Sequence, residues 1–112
     1  MKGKEFAKRI VELLDDKKGE NIVCFKIGEH SSLADYFIIA TGNADTHVKA
    51  LAENMSVELK KQGISPLAHE GTGSGSWVCV DYGDVIVHVM RGNEREFYNL
   101  ESIWGGCPKE TF

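Results

Sequence analysis

Residues 77–104 read WVCVDYGDVIVHVMRGNEREFYNLESIW, and the alternation within them decides the fold. Taking Asp81–Asp84 as a four-residue turn and pairing outward sets Val80 against Val85, Cys79 against Ile86, Val78 against Val87 and Trp77 against His88. Successive strand side chains point to opposite faces. One face therefore carries Val78, Val80, Val85, Val87 and Val89, a uniform branched set suited to a core under helices. The other carries Trp77, Cys79, Ile86, His88 and Met90. An antiparallel sheet can leave one face open, and an indole beside an imidazole there suits contact with a partner better than plain solvation.

The same stretch continues into a helix over about Glu94 to Trp104. Phe97, Leu100 and Trp104 recur at spacings of three and four, which predicts a buried stripe. Tyr98 lies one helical step off that stripe, where an amphipathic ring meets a partner. Arg95 and Glu101 are expected at a charged rim around the aromatic patch.

Upstream, Phe6, Ile10, Leu13 and Leu14 recur at helical spacing over residues 3–15, and Gly19 marks the exit. Residues 22–27 (IVCFKI) and 36–41 (YFIIAT) are short β-rich runs; the second, almost wholly apolar, suits a central strand. Asn43 or Asp45 is placed to cap a second helix with the stripe Val48, Leu51, Ala52, Met55 and Leu59, and Gly63 ends it. A strand at 64–69 and a glycine- and serine-rich loop lead back to the hairpin. The order αββαβββα, with no internal repeat and no domain-scale linker, predicts a single compact α+β domain. Its five-stranded sheet is mixed, because the second helix is long enough to serve as a crossover between parallel strands while the hairpin is antiparallel. The helices are expected mainly on one face. The domain is assigned to residues 1–106, and the tail 107–112, poor in apolar residues, is expected to fray.

At 112 residues the chain has the length of one domain, and 42% hydrophobic with 27% charged residues are globular values. No apolar run approaches the ~20 residues of a membrane span, and the opening helix lacks a signal-peptide apolar block, which predicts a cytoplasmic location without membrane contact. A net charge of −4 disfavours indiscriminate binding to nucleic-acid phosphate and permits a basic protein partner. Cys24, Cys79 and Cys107 are odd in number and widely spaced, so reduced thiols are expected.

Candidate chemistry is sparse. Gly71, Gly73 and Gly75 precede a strand rather than a helix N-terminus and lack a Gly-Lys-Ser/Thr ending, so they read as a loop and not a phosphate cradle. His30, His47, His69 and His88 share no metal-ligand spacing with one another or with the cysteines. Asp81 and Asp84 are ordinary turn formers beside Gly83. An acid/base role for His88 with Asp81 or Asp84 keeps open a small enzyme, although no companion nucleophile is evident. A binder of nucleic acid and a purely self-associating sheet are two further alternatives.

Several blocks occur in order with regular gaps: Asp35-Tyr36-Phe37-Ile38-Ile39-Ala40-Thr41-Gly42, His69-Glu70-Gly71, Trp77 through Asp81, Gly83 through Val89, and Arg95, Phe97-Tyr98, Leu100-Glu101 and Trp104. In these, from about Val23 to Trp104, the chain closely resembles the ribosomal silencing factor family, also called Iojap-like. Departures are small: Thr46-His47 stand where an arginine is frequent, and Met90 where an aromatic is common. The resemblance implies a nucleotidyltransferase-like fold without the catalytic carboxylates, no enzymatic activity and no cofactor. It implies binding to the large ribosomal subunit through ribosomal protein uL-fourteen, which blocks joining of the small subunit when nutrients are short, and a homodimer when free. By matching position it places the contact surface at Trp77, with Asp81, His88, Arg95 and Tyr98 around it.

Overall fold

Helix α1 (Gly3–Asp16) follows from its apolar spacing: Phe6, Ala7, Ile10, Leu13 and Leu14 are its buried residues, a single stripe at helical period. A computed structural model describes residues 2–71 and 73–112 of the chain. Met1 lies outside the described residues, as does Thr72 within the expected glycine- and serine-rich loop. The chain leaves α1 through Lys18, which takes a left-handed conformation (φ 64°), and the Gly19 N–H donates to the Leu14 carbonyl at 2.9 Å.

Strand β1 (Glu20–Lys26) runs antiparallel to β2 (Tyr36–Gly42). Every residue of β2 is buried, as its near-continuous apolar run requires of a strand covered on both faces. Helix α2 (Asp45–Lys61) buries Val48, Leu51, Ala52, Met55 and Leu59, the expected stripe. Neither Asn43 nor Asp45 caps it; the N-cap position is Ala44, without a side-chain bond. Asp45 instead pairs with Arg91 at 3.0 Å. His47 takes over the junction, accepting the Asn43 N–H on Nδ1 at 2.9 Å and reaching the Lys17 carbonyl with Nε2 at 2.8 Å. Because Nδ1 accepts, Nε2 carries the proton and donates. The turn into α2 is tight: a Cβ on Gly42 would sit 2.7 Å from Val48 Cγ2 and 2.9 Å from its backbone nitrogen.

Strands β3 (Ala68–Gly71), β4 (Trp77–Asp81) and β5 (Val85–Arg91) form an antiparallel meander, and β5 pairs with β2 in parallel, giving the order β1-β2-β5-β4-β3. The sheet is five-stranded and mixed, as the sequence predicts. The strand reached through α2, β3, does run in the direction of β2. It lies at the sheet edge with β5 and β4 between it and β2, because α2, about 25 Å long, carries the chain past the positions that those two strands then fill.

The hairpin register differs from the expected one by two residues. Val80 faces Val87, Cys79 faces His88, Val78 faces Val89 and Trp77 faces Met90. The Tyr82 N–H donates to the Val85 carbonyl at 2.9 Å, so only Gly83 and Asp84 form the tip. Gly83 has φ 89°, the positive angle that this position of a two-residue turn demands, and its N–H is held by Asp81 Oδ1 at 2.7 Å. A shift of two preserves the faces, since side chains alternate with period two. The five valines accordingly join α1 and α2 in one core layer.

The opposite face is not open across its width. Phe25, Ile27, Phe37, Ile39, Ile86 and Met90 form a second core layer, packed against Leu100, Trp104 and Cys107. The expected third helix is broken: α3 spans Gly92–Tyr98, Asn99 is left-handed (φ 46°, ψ 51°), and a 3-10 turn covers Leu100–Trp104. A left-handed residue ends an α-helix, so the Phe97/Leu100/Trp104 stripe, counted through Asn99, does not lie on one face. Phe97 is 80% exposed. The tail also departs from expectation. The Lys26 N–H donates to the Pro108 carbonyl at 2.8 Å and the Glu110 N–H to the Cys24 carbonyl at 2.7 Å. Lys109 bridges to Phe25, so residues 108–110 find their partners along the edge of β1 while Cys107 packs on the second core layer.

Candidate functional site

The open part of the second face is organised by Trp77. At the start of β4 its indole points to the face shared with Cys79, and its Nε1–H donates to His88 Nδ1 at 2.9 Å. His88 therefore carries its proton on Nε2, which lies 3.7 Å from Cys79 Sγ. Burial lowers the imidazole pKa from 6.5 to about 4, because desolvation penalises the charged ring. Around neutral pH His88 is an uncharged member of an aromatic cluster.

That cluster is continuous. Trp104 packs on Phe37 (centroids 5.6 Å apart), Phe37 on His88 (4.9 Å), His88 on Trp77 (5.9 Å), Trp77 on Tyr98 (4.8 Å), and Tyr98 edge-on against Phe97 (5.0 Å). It starts in the core, where Phe37 is 4% exposed, and ends at the surface, where Tyr98 is 50% exposed. Beside it lies a shallow depression of about 320 Å³ lined by Glu70, Gly71, Trp77, Cys79 and His88. Strand register creates the lining, with Glu70 opposite Cys79 and Cys79 opposite His88.

Trp77, His88 and Tyr98 are thus brought together. Asp81 and Arg95 are not part of the same cluster. Asp81 is engaged by the Gly83 N–H in the hairpin turn, and the Asp84 carbonyl accepts from the Asp35 and Tyr36 amides. No hydrogen bond or ion pair joins either aspartate to His88 among the described residues, and burial alone sets the imidazole pKa. The acid/base arrangement of the alternative enzyme reading is therefore not assembled. Arg95, expected at an exposed rim, is turned inward: its side chain is 10% exposed and Nε donates to Glu101 Oε1 at 2.8 Å. That bond is the first cause holding the Glu101 carboxyl below its ordinary pKa.

Neither Cys24 nor Cys79 is an activated nucleophile. Burial raises Cys79, with Asp81 and Glu70 adding to the effect, and burial pushes Cys24 up to about 12. Among the described residues no group of three or more His, Cys, Asp or Glu could hold a metal ion, and no helix is long and apolar enough to cross a membrane. What the face offers is shape and rings: an indole fixed by a hydrogen bond, a phenol packed on it at a tilt and an exposed phenyl. Phe97 and Glu70 belong to this surface and are missed by the sequence reading. The signal for Phe97 was Asn99, a residue type that readily ends helices in the left-handed region.

The family model described as "Ribosomal silencing factor during starvation" matches residues 1–112. A ribosomal silencing factor from Chromobacterium violaceum is 42% identical over 106 residues, covering 95% of this chain and 87% of its own length. One from Bacillus subtilis is 40% identical over 108 residues, covering 96% and 92%. A crystal structure of a Chromobacterium violaceum protein superposes with a TM-score of 0.90 at 42% identity, over 100% of this chain and 92% of that one. The full-length match, the identities and the shared architecture agree, and the chain belongs to the ribosomal silencing factor family.

Proposed function

We propose that this protein represses translation by seating its Trp77 face on ribosomal protein uL-fourteen of the large ribosomal subunit, so that the small subunit cannot join. The mechanism is steric and needs no catalysis, cofactor or metal; the protein acts as a non-enzymatic factor in the cytoplasm. The observation that carries the reading is the tilted Trp77–Tyr98 ring contact. Large aromatic side chains held rigidly at a surface and rimmed by polar groups are the usual energetic centre of a protein interface, and Tyr98 with Phe97 extends these rings to solvent. The resemblance of the sequence blocks supports uL-fourteen as the partner, and the names of the relatives support the ribosome as the target. The net charge of −4 suits a basic ribosomal protein better than the phosphate backbone of ribosomal RNA. In the free protein the same exposed rings provide a face for a homodimer, which must separate before docking.

The test is subunit joining. Purified protein added to separated subunits should suppress 70S formation in sedimentation profiles, and a Trp77→Ala variant should not. Unimpeded joining at saturating wild-type protein would remove the proposal. A steep fall of binding with salt, of the order expected when several phosphates are neutralised, would transfer the contact to ribosomal RNA.

A further inference from the structure

Arg95 stands three residues before Tyr98 on α3, and the segment that carries them has little else to hold it. Neither α3 nor the 3-10 turn after it contains a buried residue, although Leu100 and Trp104 pack partly on the second core layer. Arg95 supplies the polar attachment. Its Nε donates to Glu101 Oε1 at 2.8 Å, and one terminal nitrogen, Nη1, donates to the Asn21 carbonyl at 2.7 Å and to Thr41 Oγ1 at 2.9 Å. Its own carbonyl accepts the Asn99 N–H at 2.9 Å, where the helix closes. A single residue thus ties α3 to β1, to the end of β2 and to the 3-10 turn.

The acceptor on β1 arises from an irregularity. The register of β1 against β2 shifts between Glu20 and Val23, and Asn21 within that shift is left-handed (φ 48°). A bulge of this kind leaves one residue outside the ladder, and here the released carbonyl goes to the guanidinium. Arginine's planar fork of donors suits such divergent acceptors, whereas a lysine ammonium is a point charge on a flexible stem.

We infer that Arg95 is a positioning residue of the docking face, acting through Tyr98: it fixes α3 so that the Tyr98 ring lies on Trp77 before a partner arrives. This rests on the reading of the Trp77 face as the docking surface. It differs from a direct role for Arg95, because a guanidinium 10% exposed and bonded to three acceptors must give up those bonds to touch a partner. Prior ordering of a contact surface lowers the entropy lost on binding.

The test is a double-mutant cycle on co-sedimentation with large subunits, joined to measurements on the free protein. Arg95→Ala should weaken binding roughly tenfold in the wild-type background and by less than about twofold in a Tyr98→Ala background, since residues acting as one unit are not additive. In the free protein, Arg95→Ala should raise amide exchange over residues 92–104 and increase acrylamide quenching of Trp77 in a Trp104→Phe background. Exchange in β2 and β5 should stay unchanged, and Arg95→Lys should restore only part of the protection. Equal losses in both backgrounds would make Arg95 a direct contact and overturn the inference. So would unchanged exchange and quenching in Arg95→Ala, while Tyr98→Ala still weakened binding. If instead Trp77→Ala and Tyr98→Ala both bound normally, the docking face itself would be wrong, and the exchange and quenching data would still decide whether Arg95 orders α3.

Discussion

The indole N–H of Trp77 donates to Nδ1 of His88 across the β4–β5 pair at 2.9 Å, a diagonal contact, since Trp77 itself faces Met90. The bond fixes the orientation of the indole and the tautomer of the imidazole together. A half-buried aromatic side chain at a surface would otherwise lose rotamer freedom on binding, and here that loss has already been taken in folding.

Trp77 should therefore dominate docking. Trp77→Ala is expected to cost ~2 kcal/mol or more of binding to the large subunit, and Lys8→Ala, on the exposed side of α1, almost nothing. Co-sedimentation titrations measure both, and equal retention of the two variants would contradict the anchor role.

His88 sets a pH dependence of stability. Its folded pKa, about 4, lies below the ordinary 6.5, so below 6.5 the unfolded chain takes up a proton that the folded chain refuses. The contribution is complete above about pH 6.5 and is lost as pH falls toward about 4, at no more than about 1.4 kcal/mol per pH unit. His88→Asn keeps an acceptor for Trp77 and removes the titration. Urea unfolding at several pH values should show a shallower slope for that variant between pH 6.5 and 4; parallel curves would refute the assignment.

Phe97 and Ile39 offer a contrast in burial. Phe97→Ser should change stability by no more than about 0.5 kcal/mol, as for an exposed position, whereas Ile39→Ala, fully buried in the second layer, should cost about 2–5 kcal/mol. Denaturant midpoints decide, and a large loss for Phe97→Ser would restore the buried stripe expected from its spacing.

The tail has a local signature. Removing residues 108–112 deletes the carbonyl that accepts the Lys26 N–H, so exchange at the Lys26 amide should quicken by roughly tenfold or more while the buried amides of β2 hold their protection. Equal protection at Lys26 in the shortened chain would mean that the tail contributes nothing to this edge.

Gly42 and His47 govern the entry to α2. Gly42→Ala should destabilise by about 1–3 kcal/mol through overpacking against Val48, and His47→Ala by about 1–2 kcal/mol through loss of two hydrogen bonds. Thermal unfolding tests both, and an unshifted midpoint for Gly42→Ala would show that α2 relocates freely.

The parts legible in the sequence were those set by periodicity. The valine face of β4 and β5, the α1 and α2 stripes and the buried β2 run need only the alternation and spacing of apolar residues. The pairing of Val80 was misplaced by two positions, yet the faces survived, because period two is blind to an even shift. What was not legible depended on single backbone angles and on polar bonds between distant segments. Left-handed Asn99 turned Phe97 outward, and the carbonyl of bulged Asn21 drew Arg95 inward. The tail was misread because low apolar content says nothing of the backbone hydrogen bonds that β1 offers it.

The two ends of the sheet are consequently unlike. The β1 edge carries the tail, while β3, last in the strand order, pairs on one side with β4. A sheet with both edges free can add strands without limit, the route to fibrous assembly. Here the β1 end is partly occupied by the chain's own tail. The short strap at residues 108–110 thus occupies the Cys24–Lys26 part of the β1 edge, where an added strand would otherwise have to pair.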